Sequence, residues 1–133
     1  MADTFQFELV APEKLIYSDE TEFVVVPGAE GDFGVLPGHA LLLSTVRAGI
    51  IEIHENDKLK DRFFVAGGFA EVTPERCTVL STESIKLDEI DESAARERLD
   101  LAERDLNNAS SEAEREKCER ALEVAQALVT ACS

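Results

Sequence analysis

Two histidines, three cysteines and twenty-eight carboxylates are the groups with which this 133-residue chain would do chemistry, and their spacing argues against most of it. His39 and His54 have no second ligand at a useful spacing, and Cys77, Cys118 and Cys132 are odd in number and follow no metal-ligand pattern, so no metal site is expected. The thiols read instead as small apolar groups in a reducing compartment. Gly28, Gly31 and Gly34 are spaced like a phosphate-binding glycine loop, but no Lys-Ser or Lys-Thr follows to neutralise phosphate and hold magnesium. The dinucleotide pattern fails as well, because no Gly-x-Gly-x-x-Gly stands between a strand and a helix. Asp32-Phe33-Gly34 spells a kinase metal-binding triplet without the lysine strand or the catalytic loop that would give it meaning. Ser44, Ser81 and Ser84 sit in no nucleophile-elbow context, and carboxylate pairs such as Asp19-Glu20 are common only because carboxylates are common. The reading is of a non-enzymatic chain with no catalytic residue and no cofactor.

What remains informative is the stretch from Val26 to His39, with four glycines and two prolines between runs of strand-forming residues. Glycine supplies backbone angles that other residues avoid, and proline fixes φ and gives up a donor. The stretch is therefore expected to be a rigid loop presenting Glu30, Asp32 and His39. The plainer alternative is a tight corner of a sandwich.

The elements around that stretch fall into two periods. Through about residue 87 the chain alternates or runs apolar in short bursts: Phe5–Leu9, Lys14–Tyr17, Glu22–Val26, Leu41–Val46, Gly49–His54, Leu59–Ala66, Phe69–Val72 and Cys77–Thr82. Glu55–Lys58 and Thr73–Arg76 read as turns, and the spacing suggests an antiparallel sandwich or flattened barrel. From about Asp91 the period becomes helical. Ala95, Leu99, Ala102 and Leu106 form one stripe; Cys118, Leu122, Ala125, Val129 and Cys132 form another. Ser111 and Glu114 fit a capping box after the polar joint at 107–111, so the two helices make an antiparallel hairpin. Its seam is half Ala and Cys, and small groups contribute less on burial than leucine, so the hairpin is expected to be modestly stable.

Charge narrows the partners. The formal net charge is −15, shared between seven basic and fifteen acidic residues through Leu87, and six and thirteen beyond it. Nucleic acid and anionic lipid both demand clustered Lys and Arg, so neither is an expected partner. No apolar run reaches the roughly 20 residues of a membrane span. The start, acidic and without an apolar stretch, is not that of a secretion or transit signal, which points to a bacterial cytoplasm.

The residues Val26-Pro-Gly-Ala-Glu-Gly-Asp-Phe-Gly-Val-Leu-Pro-Gly-His39, continuing through Leu42–Ile51 and again at Phe64–Val72 and Thr78–Leu80, resemble the epsilon subunit of bacterial F-type ATP synthase. The resemblance implies an α+β chain: a flattened antiparallel β-sandwich of about ten strands over residues 1–87, then a two-helix hairpin over 88–133. It implies a non-catalytic central-stalk subunit of a proton-translocating rotor, whose sandwich grips the gamma subunit and sits on the ring of c subunits. Glu30, Gly31, Asp32, Phe33, Gly34 and the Pro37-Gly38-His39 turn occupy the family's ring-facing positions. Membrane association would then run only through the complex, at the cytoplasmic face of the bacterial inner membrane. In relatives the helical tail reaches the alpha and beta subunits and inhibits hydrolysis through basic residues. Here Arg115, Lys117 and Arg120 are offset by Glu112, Glu114, Glu116, Glu119 and Glu123, so weak or absent inhibition is expected. Some relatives bind ATP at an Ile/Leu-Asp-x-x-Arg segment. Ile90 and Asp91 match its start, but Ala94 replaces the arginine, and Arg96 and Arg98 lie two and four residues further on. An ATP-sensing regulator is thus the lesser alternative.

Overall fold

The clean alternation of Phe5-Gln6-Phe7-Glu8-Leu9 makes a strand with one wet and one dry face, because successive side chains point to opposite sides of the pleat. The computed structural model, which describes residues 3–132, shows this: Phe5, Phe7, Leu9 and Ala11 are buried while the residues between them are half-buried. Met1, Ala2 and Ser133 lie outside the described residues, so the acidic start is followed only from Asp3. The chain divides into two compact units, Met1–Lys86 and Leu87–Ser133.

The first unit holds ten strands: β1 (Phe5–Ala11), β2 (Lys14–Thr21), β3 (Phe23–Gly28), β4 (Gly31–Val35), β5 (Leu42–Val46), β6 (Gly49–Glu55), β7 (Lys58–Val65), β8 (Gly68–Val72), β9 (Arg76–Leu80) and β10 (Ser84–Lys86). Their hydrogen-bonded order is β10-β7-β6-β3-β5-β8-β9-β1-β2, with β4 paired to β3 off that path. Every pair is antiparallel except β1 with β9, which run parallel from Gln6 opposite Arg76 to Val10 opposite Leu80. The sandwich is thus antiparallel as expected but for this one pairing, which the sequence does not reveal because short-range alternation shows a strand's faces and says nothing of its distant neighbour.

One core joins both ends of the strand order. Phe7, Leu9, Val24, Val26, Val35, Ile51, Ile53, Val65, Val72 and Val79 are all essentially sealed from solvent. Each such side chain contributes roughly 1.5–3 kcal/mol on burial, which makes this core the dominant stabilising feature of the unit. Polar ties draw the end of β2 across to the β6–β7 hairpin. Thr21 Oγ1 donates to the His54 carbonyl at 2.7 Å, and Lys60 Nζ lies 2.9 Å from Asp19 and 3.1 Å from Glu55. Its hydrogen bonds to Asp19 and then Glu55 hold the Lys60 ammonium above its usual pKa. The β6–β7 turn uses Asn56 and Asp57 at φ of 55° and 60°, the paired left-handed residues of a type I′ turn, whose twist suits a two-residue hairpin.

The second unit opens with a 3₁₀ turn (Leu87–Glu89) and continues as α1 (Glu92–Asn107) and α2 (Glu112–Cys132), packed on each other. Ala95, Ala102, Ala125 and Leu128 are its buried residues, while Leu99, Leu106, Leu122 and Val129 of the expected stripes are only half-buried. Leu128 takes the buried place that the spacing assigned to Val129. Cys118 Sγ donates to the Asp105 carbonyl, 3.6 Å away on the facing helix. The Ser111 hydroxyl accepts from the Glu114 N–H at 3.1 Å as the capping box requires, but the Glu114 carboxylate reaches Ser110, at 3.0 Å from its hydroxyl.

Candidate functional site

The Val26–His39 stretch, expected as a loop, is mostly a β-hairpin. Val24 to Gly28 of β3 pair with Val35 to Gly31 of β4, and only Ala29 and Glu30 form the tip. Glycine and proline density hid β4, since Gly31-Asp32-Phe33-Gly34 shows no apolar alternation. The structure supplies the reason for one of these glycines. A Cβ on Gly34 would lie 2.6 Å from the Phe23 ring, so the residue serves close packing rather than a turn.

The hairpin is fastened to the corner between β5 and β6. The Ala29 N–H donates to the Thr45 carbonyl and the Arg47 N–H to the Pro27 carbonyl, both at 2.9 Å. The Arg47 guanidinium reaches further, with Nη1 donating to the Gly28 carbonyl and Nη2 paired with the Asp32 carboxylate. Arg47 is not among the site residues expected from the sequence, although it is the only Lys or Arg between Lys14 and Lys58, a stretch holding eight carboxylates. That isolation was the available signal.

The expected ring-facing residues therefore separate. Glu30 and Asp32 are exposed, whereas Phe33 is half-buried and packs against the core. The Pro37-Gly38-His39 turn is tied elsewhere. The Gly38 N–H donates to the Pro74 carbonyl at 2.8 Å and the His39 N–H to the Leu36 carbonyl at 3.1 Å. The His39 ring engages its own neighbour, Nδ1 lying 2.7 Å from the Ala40 carbonyl, which assigns that nitrogen as the donor. An open groove of about 480 Å³ runs between the hairpin tip and β5, bounded by Glu30, Phe33, Leu42 and Leu43. Leu41 and Leu43 beside it are 77% and 74% exposed. The fastened acidic tip thus stands next to exposed apolar side chains.

In the second candidate set, Asp91 and Arg96 make local contacts. Asp91 Oδ1 caps α1, accepting from the Ser93 N–H at 3.0 Å and the Ala94 N–H at 3.5 Å. Arg96 donates to Glu92 one turn back, at 3.0 Å and 3.3 Å. Arg98 stands roughly 200° around the helix from Arg96. Ile90 is half-buried just ahead of the cap. Among the described residues, no group of three or more His, Cys, Asp or Glu stands together as a metal site, and no helix is long and apolar enough to cross a membrane.

Comparison with known proteins bears on the whole chain. Residues 4–86 match the family model described as ATP synthase, delta/epsilon chain, β-sandwich domain. The ATP synthase epsilon chain of Rhodospirillum rubrum is 52% identical over 131 residues, 98% of each chain. The chain belongs to the ATP synthase epsilon chain family. The epsilon chain of Paramagnetospirillum magneticum is 47% identical, again over 98% of both chains. Among solved structures, a chain of the Euglena gracilis mitochondrial ATP synthase, described as OSCP/F1/c-ring, superposes with a TM-score of 0.83 at 26% identity. The match covers 98% of this chain and 82% of that one.

Proposed function

We propose that this chain is a non-catalytic rotor subunit of a proton-translocating ATP synthase, in which the sandwich holds the gamma subunit and docks on the c ring at the β3–β4 tip. The observation that carries the reading is a near-full-length match to epsilon chains, combined with an exposed hairpin tip whose strands are fastened by four contacts to β5 and Arg47. A tip so held loses little freedom on docking, so more of its contact energy is retained as affinity. Attachment to the cytoplasmic face of the bacterial inner membrane, through gamma and the ring, belongs to the same proposal.

The alternative, an ATP-sensing hairpin, gains no support from Ile90, Asp91, Arg96 and Arg98. The Asp91 carboxylate already serves a helix end, and Arg96 already serves Glu92. The test of the main reading is reconstitution of a synthase stripped of this chain. The full-length chain is expected to co-purify with gamma and the ring, and to restore ATP-driven proton pumping. A chain that stays monomeric in the presence of both overturns it.

A further inference from the structure

The hairpin tip carries two carboxylates, and the structure treats them differently. Asp32 is met by Arg47, whereas Glu30, at the turn itself, has no ion pair among the described residues. Arg47 contacts both strands of the hairpin from outside it: the Pro27 and Gly28 carbonyls on β3, and the Asp32 carboxylate on β4. A planar guanidinium with several fixed donors can hold two acceptors at once, which the single ammonium of a lysine does less well. With the Arg47 side chain 42% exposed and that of Asp32 59%, such a pair adds little to global stability. Its effect falls on where the tip points.

We propose that Arg47 is a positioning residue for ring docking: it fixes Asp32 and the hairpin against the β5–β6 corner, so that Glu30 is the free charge offered to the ring. The proposal rests on the ring-docking reading above. Asp32 is paired with Arg47 within the chain and acts through geometry. Glu30 then selects a ring loop that presents a lysine, an arginine or amide donors, and electrostatic complementarity there governs register and salt dependence.

The experiment uses a synthase stripped of this chain and reconstituted with full-length variants. It reads affinity for the gamma–ring assembly, protons pumped per ATP hydrolysed, and hydrogen exchange of the tip amides. Arg47→Met and Asp32→Asn are each expected to weaken retention by about fivefold and to speed exchange at the tip. The double variant should be no worse than either single one, because both remove the same contact. Arg47→Lys should recover part of the loss. Glu30→Gln should weaken retention and flatten its salt dependence while leaving exchange unchanged. Failure of the unsubstituted chain to be retained would overturn the ring-docking reading itself. Retention of the unsubstituted chain and of Arg47→Met to the same extent would overturn only the role of Arg47, even with exchange accelerated.

Discussion

A methyl group added at Gly68 would overlap the Leu80 carbonyl oxygen on the neighbouring strand, at a φ of +148° that side chains rarely adopt. Backbone cannot move aside cheaply, so Gly68→Ala is expected to destabilise the sandwich by about 2 kcal/mol or more, measured as a lower urea midpoint at unchanged slope. Cys77 gives a second prediction at this scale. Burial pushes its thiol up from 9.0 to about 12, so the neutral thiol is strongly favoured in the folded state. The contribution is complete below about pH 9 and is lost as pH rises toward 12, because there the unfolded chain binds fewer protons than the folded one. Stability should therefore fall through that window, less steeply in Cys77→Ala. Native protein should also expose Cys118 and Cys132 to thiol reagents well before Cys77, whose thiolate is both disfavoured and shielded. That Cys77 behaves as a small apolar group was legible from its place in an alternating run. The pairing of Arg47 with Asp32 was not, because the two lie fifteen residues apart and meet only once β3 and β5 are side by side.

Local hydrogen bonding decides the elements. Asp91 satisfies two backbone donors at the start of α1, and such a cap is worth about 1 kcal/mol relative to alanine. Asp91→Ala should lower the stability of the helical unit by that amount and raise amide exchange in the first turn. Asp91→Asn should preserve it, since asparagine caps equally well. If Asp91 were instead a nucleotide ligand, both substitutions would abolish a saturable heat with ATP, a heat we expect to be absent in the unsubstituted chain as well. In the β6–β7 turn, Asp57→Gly should stabilise by up to about 1 kcal/mol, because glycine adopts the left-handed conformation without the strain a Cβ adds. Most elements could be read from periodicity, since β1, β6 and both helices declare their faces in every second or every third to fourth residue. β4 and β10 could not. The first is half glycine and aspartate, and the second is three residues long, with a strand identity conferred by β7 alone.

For the molecule as a whole, the two units have unlike interiors. The sandwich buries large branched and aromatic side chains, whereas the helical unit buries three alanines and Leu128. Removal of residues beyond Leu87 is therefore expected to leave the sandwich folded, with its own cooperative thermal transition. It should also leave ATP hydrolysis by the reconstituted complex without a several-fold rise, since α2 sets five glutamates against three basic residues. A several-fold rise would show that the tail inhibits after all. The broad architecture was legible because a change of period from two to 3.6 is a strong signal. The path of the sheet was not, because neighbours distant in the chain leave no mark on composition.

The parallel pairing of β1 with β9 sets a timetable for biosynthesis. β1 and β2 form a hairpin as soon as both have emerged from the ribosome, but the other edge of β1 must wait for a strand made about 70 residues later. At roughly 5–20 residues per second, that edge stays open for several seconds, with Phe5, Phe7 and Leu9 uncovered. The nascent chain thus passes through a sticky, half-closed sheet that only β9 can complete, and substitutions that weaken β9 should lower the yield of folded protein more than its stability.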